Sequence, residues 1–287
     1  MESAQKRLNM LSDKMLIARC GNFTASANHR LMAGWDKAAP DTSFPEFDQL
    51  YTVIKELDSK PLVGDIKNLF EFSVSGEMIS KTWKAIQYEK PSQGLITYAE
   101  EKAIESFFYP DPSLNFSTVH TRNGEEREVE CMALLSSATG LDFVNIGDDQ
   151  VHIHSDEVGC TPDGIVLDDL DLVAIGAEVK CKSPLEHAKN ILISNGEELK
   201  KNAFDHFVQV QTAMLVTGAT QWYFASYNPY AKEEAMQFSH IVVDRDTRFI
   251  AILDKRLQLA KKIKRDFYMK IQSALEAKKQ PTQKAAA

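Results

Sequence analysis

The stretch GCTPDGIVLDDLDLVAIGAEVKCKSP, residues 159–184, constrains the fold more than any other part of the chain. Two β-branched runs, GIVL and LVAIGAEVKCK, flank the polar turn DDLD, the signature of a hairpin. In the second run a period of two puts Val173, Ile175, Ala177, Val179 and Cys181 on one face and Glu178, Lys180 and Lys182 on the other. Glu and Lys are among the residues least often buried unless paired or bound to an ion, so something must hold them there. If the runs pair antiparallel, Asp163, just after Pro162, comes near Glu178. Two carboxylates this close repel unless a cation lies between them, and hard oxygen donors suit Mg²⁺ or Mn²⁺. Lys180, two residues past the second acid, can orient a metal-activated water or offset charge on a phosphorane-like transition state, as phosphodiester hydrolysis requires. The plain alternative is a surface hairpin with charged tips, because P-D and E-x-K strings also arise by chance.

The rest of the chain supplies the setting. Residues 1–35 read as a helix, a turn at RCGNFTAS and a second short helix with Thr24 or Ser26 as N-cap. Residues 36–92 mix loop-like DKAAPDTSFPEFDQ with helix-like LYTVIKELDS and KTWKAIQYE and read as an inserted segment. Helices are expected in ITYAEEKAIESFF, in EEREVECMALLSSATG, where Gly140 stands just past the C-cap, and in FDHFVQVQTAMLVTG. Strands are expected in DFVNIG, QVHIHS, QWYFASYNP and FSHIVVDRD. From Arg248, the apolar residues Leu253, Leu257, Ala260, Ile263, Phe267, Ile271 and Leu275 follow the 3.6 period of an amphipathic helix. Its other face is Lys-rich, and 278–287 reads as a frayed tail. Together these elements imply one α/β or α+β domain over 1–287, a mixed central β-sheet flanked by helices.

A formal net charge of −8 argues against a protein that coats nucleic acid wholesale, which needs a basic surface. It leaves room for a DNA enzyme, since a local basic lining tolerates an acidic exterior and metal-binding carboxylates add negative charge themselves. No run approaches the roughly 18 apolar residues of a membrane span, and MESAQKRLNMLSDKM lacks the apolar stretch of a secretion signal, so a cytoplasmic protein is expected. Cys20, Cys131, Cys160 and Cys181 form no CxxC pair and read as reduced thiols. His152 and His154 share a strand face and would suit zinc, but no third ligand stands out. QWYFASY reads as core strand rather than a base-stacking platform.

Asp163, Glu178 and Lys180 match the P-D…E-x-K pattern of the restriction-endonuclease-like nucleases, and ordered motifs narrow this further. RCGNFTAS, GEEREVECMALLSSATG, CTPDGI with EVKC, and VQVQTAMLVTGATQWYFASYNP resemble, in that order, motifs of the phage lambda exonuclease type of alkaline exonuclease, also called YqaJ-like viral recombinases. The likeness covers roughly 15–35 and 95–275. It implies a restriction-endonuclease-like core and a Mg²⁺-dependent enzyme that digests duplex DNA ends from 5′ to 3′. Mn²⁺ is the alternative metal. Mononucleotides would be released and a 3′ single strand left for recombination. It implies metal binding by Asp163, Glu178 and the Val179 carbonyl, with Glu128 as a third acid chosen over Glu125, Glu126 and Glu130. Lys180 would act on the attacking water, Gln209 would lie near the scissile phosphate with Gln211 turned to packing, and Arg19 and Ser26 would receive a 5′-terminal phosphate. A homotrimeric ring, a single-strand annealing partner and a phage or prophage product in a bacterial cytoplasm are implied too. The chain departs from the pattern in its longer 36–92 segment, its longer Asp163–Glu178 gap, and the lack of an aromatic ahead of Gly124. An endonuclease or Cas4-like nuclease of the same superfamily, and a nonenzymatic DNA-end-binding protein, are the rival readings.

Overall fold

The structure, a computed structural model, describes residues 19–33, 41–108 and 119–279, the side chains at 119–126, 148 and 279 apart. The helix expected before Arg19, residues 109–118 and the tail from 280 lie outside the described residues. The chain divides into two compact units, Met32–Leu95 and the remainder.

The smaller unit contains the described part, 41–92, of the inserted segment. Its helices are α1 (Phe47–Ile54), α2 (Val63–Ile66) and α3 (Gly76–Glu89), the last capped by Ser75, whose Oγ accepts the Met78 N–H. Leu50, Ile54, Ile66, Ile79 and Ile86 meet in an apolar core of its own.

The larger unit opens with β1 (Phe23–Thr24), which runs into a 3-10 helix, Ala25–Met32. The second short helix expected here is therefore 3-10 in form and starts after Thr24, because strand pairing claims that residue. Then come α4 (Gln93–Ile104) and α5 (Val119–Thr139). The latter begins six residues before Glu125, where the sequence pattern placed its start. Gly124 costs a helix about 1 kcal/mol relative to Ala and does not by itself break one. The centre supplies β2 (Ile153–Ser155), β3 (Val158–Cys160), β4 (Gly164–Leu167) and β5 (Val173–Lys180). DFVNIG is not a strand. Only Val144 bridges to Ile165, because Asn145 and Gly147 take left-handed φ values of 64° and 61° and interrupt the extended run. Two short helices, α6 (Pro184–Asn190) and α7 (Gly196–Asn202), were not anticipated, yet both begin at sequence caps, Ser183 and Asn195. They lead to α8 (Phe204–Thr217), closed by Gly218 at φ 82°, then β6 (Gln221–Tyr227), β7 (Phe238–Asp244) and α9 (Thr247–Lys279).

The strands form two sheets. One is mixed, in the order β4-β5-β6-β7, with β5 and β6 parallel and the outer pairs antiparallel. The parallel pair needs a crossover, which α6 to α8 provide. The other is three-stranded, β1-β3-β2. On one face of the mixed sheet Ala177 and Val179 pack with Cys131, Met132 and Leu135 of α5. Gly176 makes room for Trp222 on the next strand, since a Cβ there would come within 2.3 Å of the indole ring. Among the described residues, no helix is long and apolar enough to cross a membrane.

Candidate active site

The hairpin register sets the site. Gly164 pairs with Ala177, so Asp163, one residue before β4, lies beside Glu178 near the end of β5. Backbone and side-chain bonds fix the acid: its N–H donates to the Ala177 carbonyl at 3.1 Å, and its Oδ2 accepts the Val179 N–H at 2.7 Å. Its Oδ1 accepts a weaker bond from Gln150 Nε2 at 3.3 Å. Glu178 is only 5% exposed, and its Oε1 accepts a bond from the Lys180 ammonium. The side chain of Lys180 is 16% exposed. The alternation along β5 thus carries two charges into a covered face, where an unpaired charge would be costly.

Electrostatics follow from that crowding. Burial, then the charges of Glu178 and Glu128, hold the Asp163 carboxyl well above the usual carboxylate range, against the pull of Lys180 and the Val179 N–H. Burial alone would lower Lys180, but Glu178, Asp163 and Glu128 together raise it, so it stays an ammonium. Glu128, on α5, therefore acts on both Asp163 and Lys180. Its neighbour Glu130 instead accepts a hydrogen bond from Tyr227, and the side chains of Glu125 and Glu126 lie outside those described.

A cavity of about 210 Å³ opens beside the pair. Arg19, Ser26, Asp163, Glu178 and Gln209 all line it, whereas Glu128, Val179 and Lys180 do not. Chain segments separated by more than 100 residues thus meet at one opening. The two glutamines of α8 part company. Gln209 faces the cavity, while Gln211 is fully buried, donating to the Asp244 carbonyl at 2.9 Å and accepting the Asp246 N–H at 2.9 Å. Residues two apart on a helix do not share a face.

Sequence reasoning missed Gln150 and Thr161 at this cavity and weighed His152 only for zinc. His152 Nδ1 pairs with Thr161 Oγ1 at 3.1 Å, and its ring stacks on His154 at 6.1 Å. Its Nε2 is buried without a hydrogen-bond partner among the described residues, and Gly159 is needed beneath it, since a Cβ there would fall 2.2 Å from that nitrogen. Burial, then the charges of Arg19 and His154, push the imidazole down to about 4. The signal for Gln150 and His152 was their spacing of two in QVHIHS, which an extended reading points to one face, although β2 itself begins only at Ile153.

The donor chemistry fits a hard divalent cation: two carboxylates forced together, with a third acid in electrostatic reach. Among the described residues, however, no group of three or more His, Cys, Asp and Glu side chains is arranged to hold an ion. Asp163 and Glu178 would be its carboxylate ligands. That matches the habit of Mg²⁺, which takes one or two carboxylates and fills its other positions with water and phosphate oxygens. Among the described residues, His152 and His154 belong to no such group of three or more either.

No protein-family model matches the chain. An uncharacterized Escherichia coli (strain K12) protein named ExoD is 37% identical over 60 residues, 21% of this chain, and the chain spans 64% of that relative's length. Among solved structures, the alkaline exonuclease LHK-Exo from Laribacter hongkongensis superposes with a TM-score of 0.58 at 17% identity, covering 92% of this chain and 98% of that one. The same enzyme in complex with dAMP gives 0.54 at 19% identity, covering 95% and 98%. The chain has the fold of these alkaline exonucleases, the fold that its motifs led one to expect.

Proposed function

We propose that the chain is a Mg²⁺-dependent exonuclease, with Mn²⁺ as an alternative metal. It digests linear duplex DNA from the 5′ end, releases 5′-mononucleotides and leaves 3′ overhangs for recombination by single-strand annealing. The observation that carries this reading is the shared cavity. It joins Arg19 and Ser26, chemically suited to a terminal phosphate, to Asp163 and Glu178, suited to a divalent cation. The likeness in fold to LHK-Exo supports it, and the dAMP complex of that enzyme is in keeping with a mononucleotide product.

Asp163 and Glu178 would hold the metal, with the Val179 carbonyl as a further donor. When bound, the metal lowers the pKa of a coordinated water and offsets negative charge on the phosphoryl oxygens. Lys180, an ammonium held by Glu178, orients the attacking water or offsets charge as the phosphorane-like state develops. Glu128 adds negative charge beside the pair, and Gln209 presents its amide to the scissile phosphate from α8. Arg19 and Ser26 bind the terminal phosphate and so place the first linkage at the acids. A homotrimeric ring around the DNA, a single-strand annealing partner and action in a bacterial cytoplasm, from a phage or prophage gene, complete the proposal.

The test is digestion of a linear duplex and of a closed circle by the purified chain, with Mg²⁺ and with EDTA. Metal-dependent release of nucleotides from the linear substrate alone is expected. Equal cutting of the circle would turn the reading to an endonuclease, and end binding without cleavage would turn it to a nonenzymatic end-binding protein.

A further inference from the structure

We infer that Lys264, on α9, is a positioning residue for the terminal-phosphate pocket, locking the turn that carries Arg19; the inference rests on the reading of Arg19 and Ser26 above. The RCGNFT turn is short and demanding. Gly21 takes φ 74°, a left-handed conformation that side chains resist, and Asn22 N–H donates back to the Arg19 carbonyl at 3.1 Å. Both polar groups of Gly21 are gripped from outside the turn. Its N–H donates to Glu105 Oε2 at 2.7 Å, and its carbonyl accepts from Lys264 Nζ at 2.5 Å. Glu105 is itself held by Lys102 at 2.8 Å.

Lys264 also bonds Glu157 Oε2 at 2.6 Å, which ties the same ammonium to a second strained element. Asp156 and Glu157 form the two-residue turn between β2 and β3, at φ 49° and 66°, where Asn-Gly is the usual choice. Non-glycine residues resist this left-handed backbone, so the turn needs outside support. Lys261 meets Asp156 at 2.6 Å, so α9 clamps both residues of the turn, and the Glu157 carbonyl accepts the Phe23 N–H at 2.8 Å. Nearer the start of α9, Arg256 Nε donates to the Leu31 carbonyl at 3.2 Å, near the far end of the 3-10 helix that holds Ser26. Arg256 and Lys261 are 3% and 4% exposed. Burying cations this deeply is costly unless each is matched, and the Leu31 carbonyl and Asp156, which these two meet, belong to the segments that frame Arg19 and Ser26. A phosphate pocket works only if its donors sit within about half an ångström of place.

The experiment compares kcat/KM on duplexes with a 5′-phosphate or a 5′-hydroxyl end for the full chain, Lys264→Met, Lys264→Arg and Glu157→Gln. Thermal melting checks that each variant folds. Lys264→Met should lose roughly ten-fold or more on phosphorylated ends and at most about two-fold on hydroxyl ends, the scale of one charged hydrogen bond. Lys264→Arg should restore most of the loss, since a guanidinium still reaches carbonyl and carboxylate. Glu157→Gln, the milder change, should show a smaller loss confined to the same ends. Equal losses on both ends, or no rescue by arginine, would make Lys264 merely structural. A parent chain indifferent to the 5′-phosphate would overturn the phosphate pocket and this inference with it.

Discussion

On one face of β5, Ile175, Ala177 and Val179 pack with Cys131, Met132 and Leu135 of α5; on the other, Glu178 is 5% exposed, bonded to Lys180 and crowded by Asp163. The apolar face needs only shape and volume, and it stabilises the fold by about 25 cal/mol for each Å² removed from water. The charged face works against that gain, because like charges in a covered place raise the free energy of the folded chain. A strand that keeps such a face has a use for it, and the difference between the faces locates chemistry where the sheet gains no stability.

The largest effect should come from the charged face. Glu178→Gln or Lys180→Met should lower cleavage at least about a thousand-fold, because each removes a group that the proposed reaction uses at the reacting atoms. Asp163→Asn should do the same while leaving thermal stability unchanged or higher, since burial and the neighbouring acids already oppose a charge at that position; a large drop in melting temperature would show that the carboxyl is structural. Next, Leu135→Ala on the apolar side should cost about 2–5 kcal/mol in denaturant titration yet leave turnover per folded molecule within a few-fold. Loss of turnover there would blur the division between the faces. Smaller again is the α8 pair: Gln211→Ala should cost about 1–3 kcal/mol by stranding the Asp246 N–H, whereas Gln209→Ala should spare stability and reduce cleavage.

A last effect is in pH and vanishes at neutrality. His206 packs at a tilt against Phe224, ring centroids 5.4 Å apart, and burial followed by the Lys180 charge pushes its imidazole down to about 4. An unfolded histidine takes its proton near pH 6.5. Between there and about 4 the unfolded chain binds a proton that the folded one refuses, so stability falls as pH drops through that window. His206→Gln should flatten the fall, measured as denaturant midpoints at several pH values. An unchanged slope would place the cost elsewhere.

The hairpin, the four strands of its sheet and helices α5, α8 and α9 were legible because each combines an unbroken hydrophobic period with a turn or glycine stop, as Gly218 shows for α8. β3 was not, being three residues that hold by pairing with distant Phe23 and with Ile153. DFVNIG misled because β-branched residues describe a preference for extension, while Asn145 and Gly147 decide the local path. Of the candidate site, the short-range pair Asp163 and Glu178 follows from hairpin register alone. The role of Lys264 does not, since no local pattern says that a lysine 243 residues away will bond the Gly21 carbonyl.

Divalent-ion binding tests the central claim most directly, through the melting temperature of the chain as Mg²⁺ is added, beside that of Glu178→Gln. If the charged face of β5 serves to hold a cation, the parent chain should be stabilised progressively, by about 2.7 kcal/mol at a hundred times the dissociation constant, and the variant should scarcely respond. A parent chain indifferent to Mg²⁺ and Mn²⁺, or a variant stabilised just as much, would contradict it.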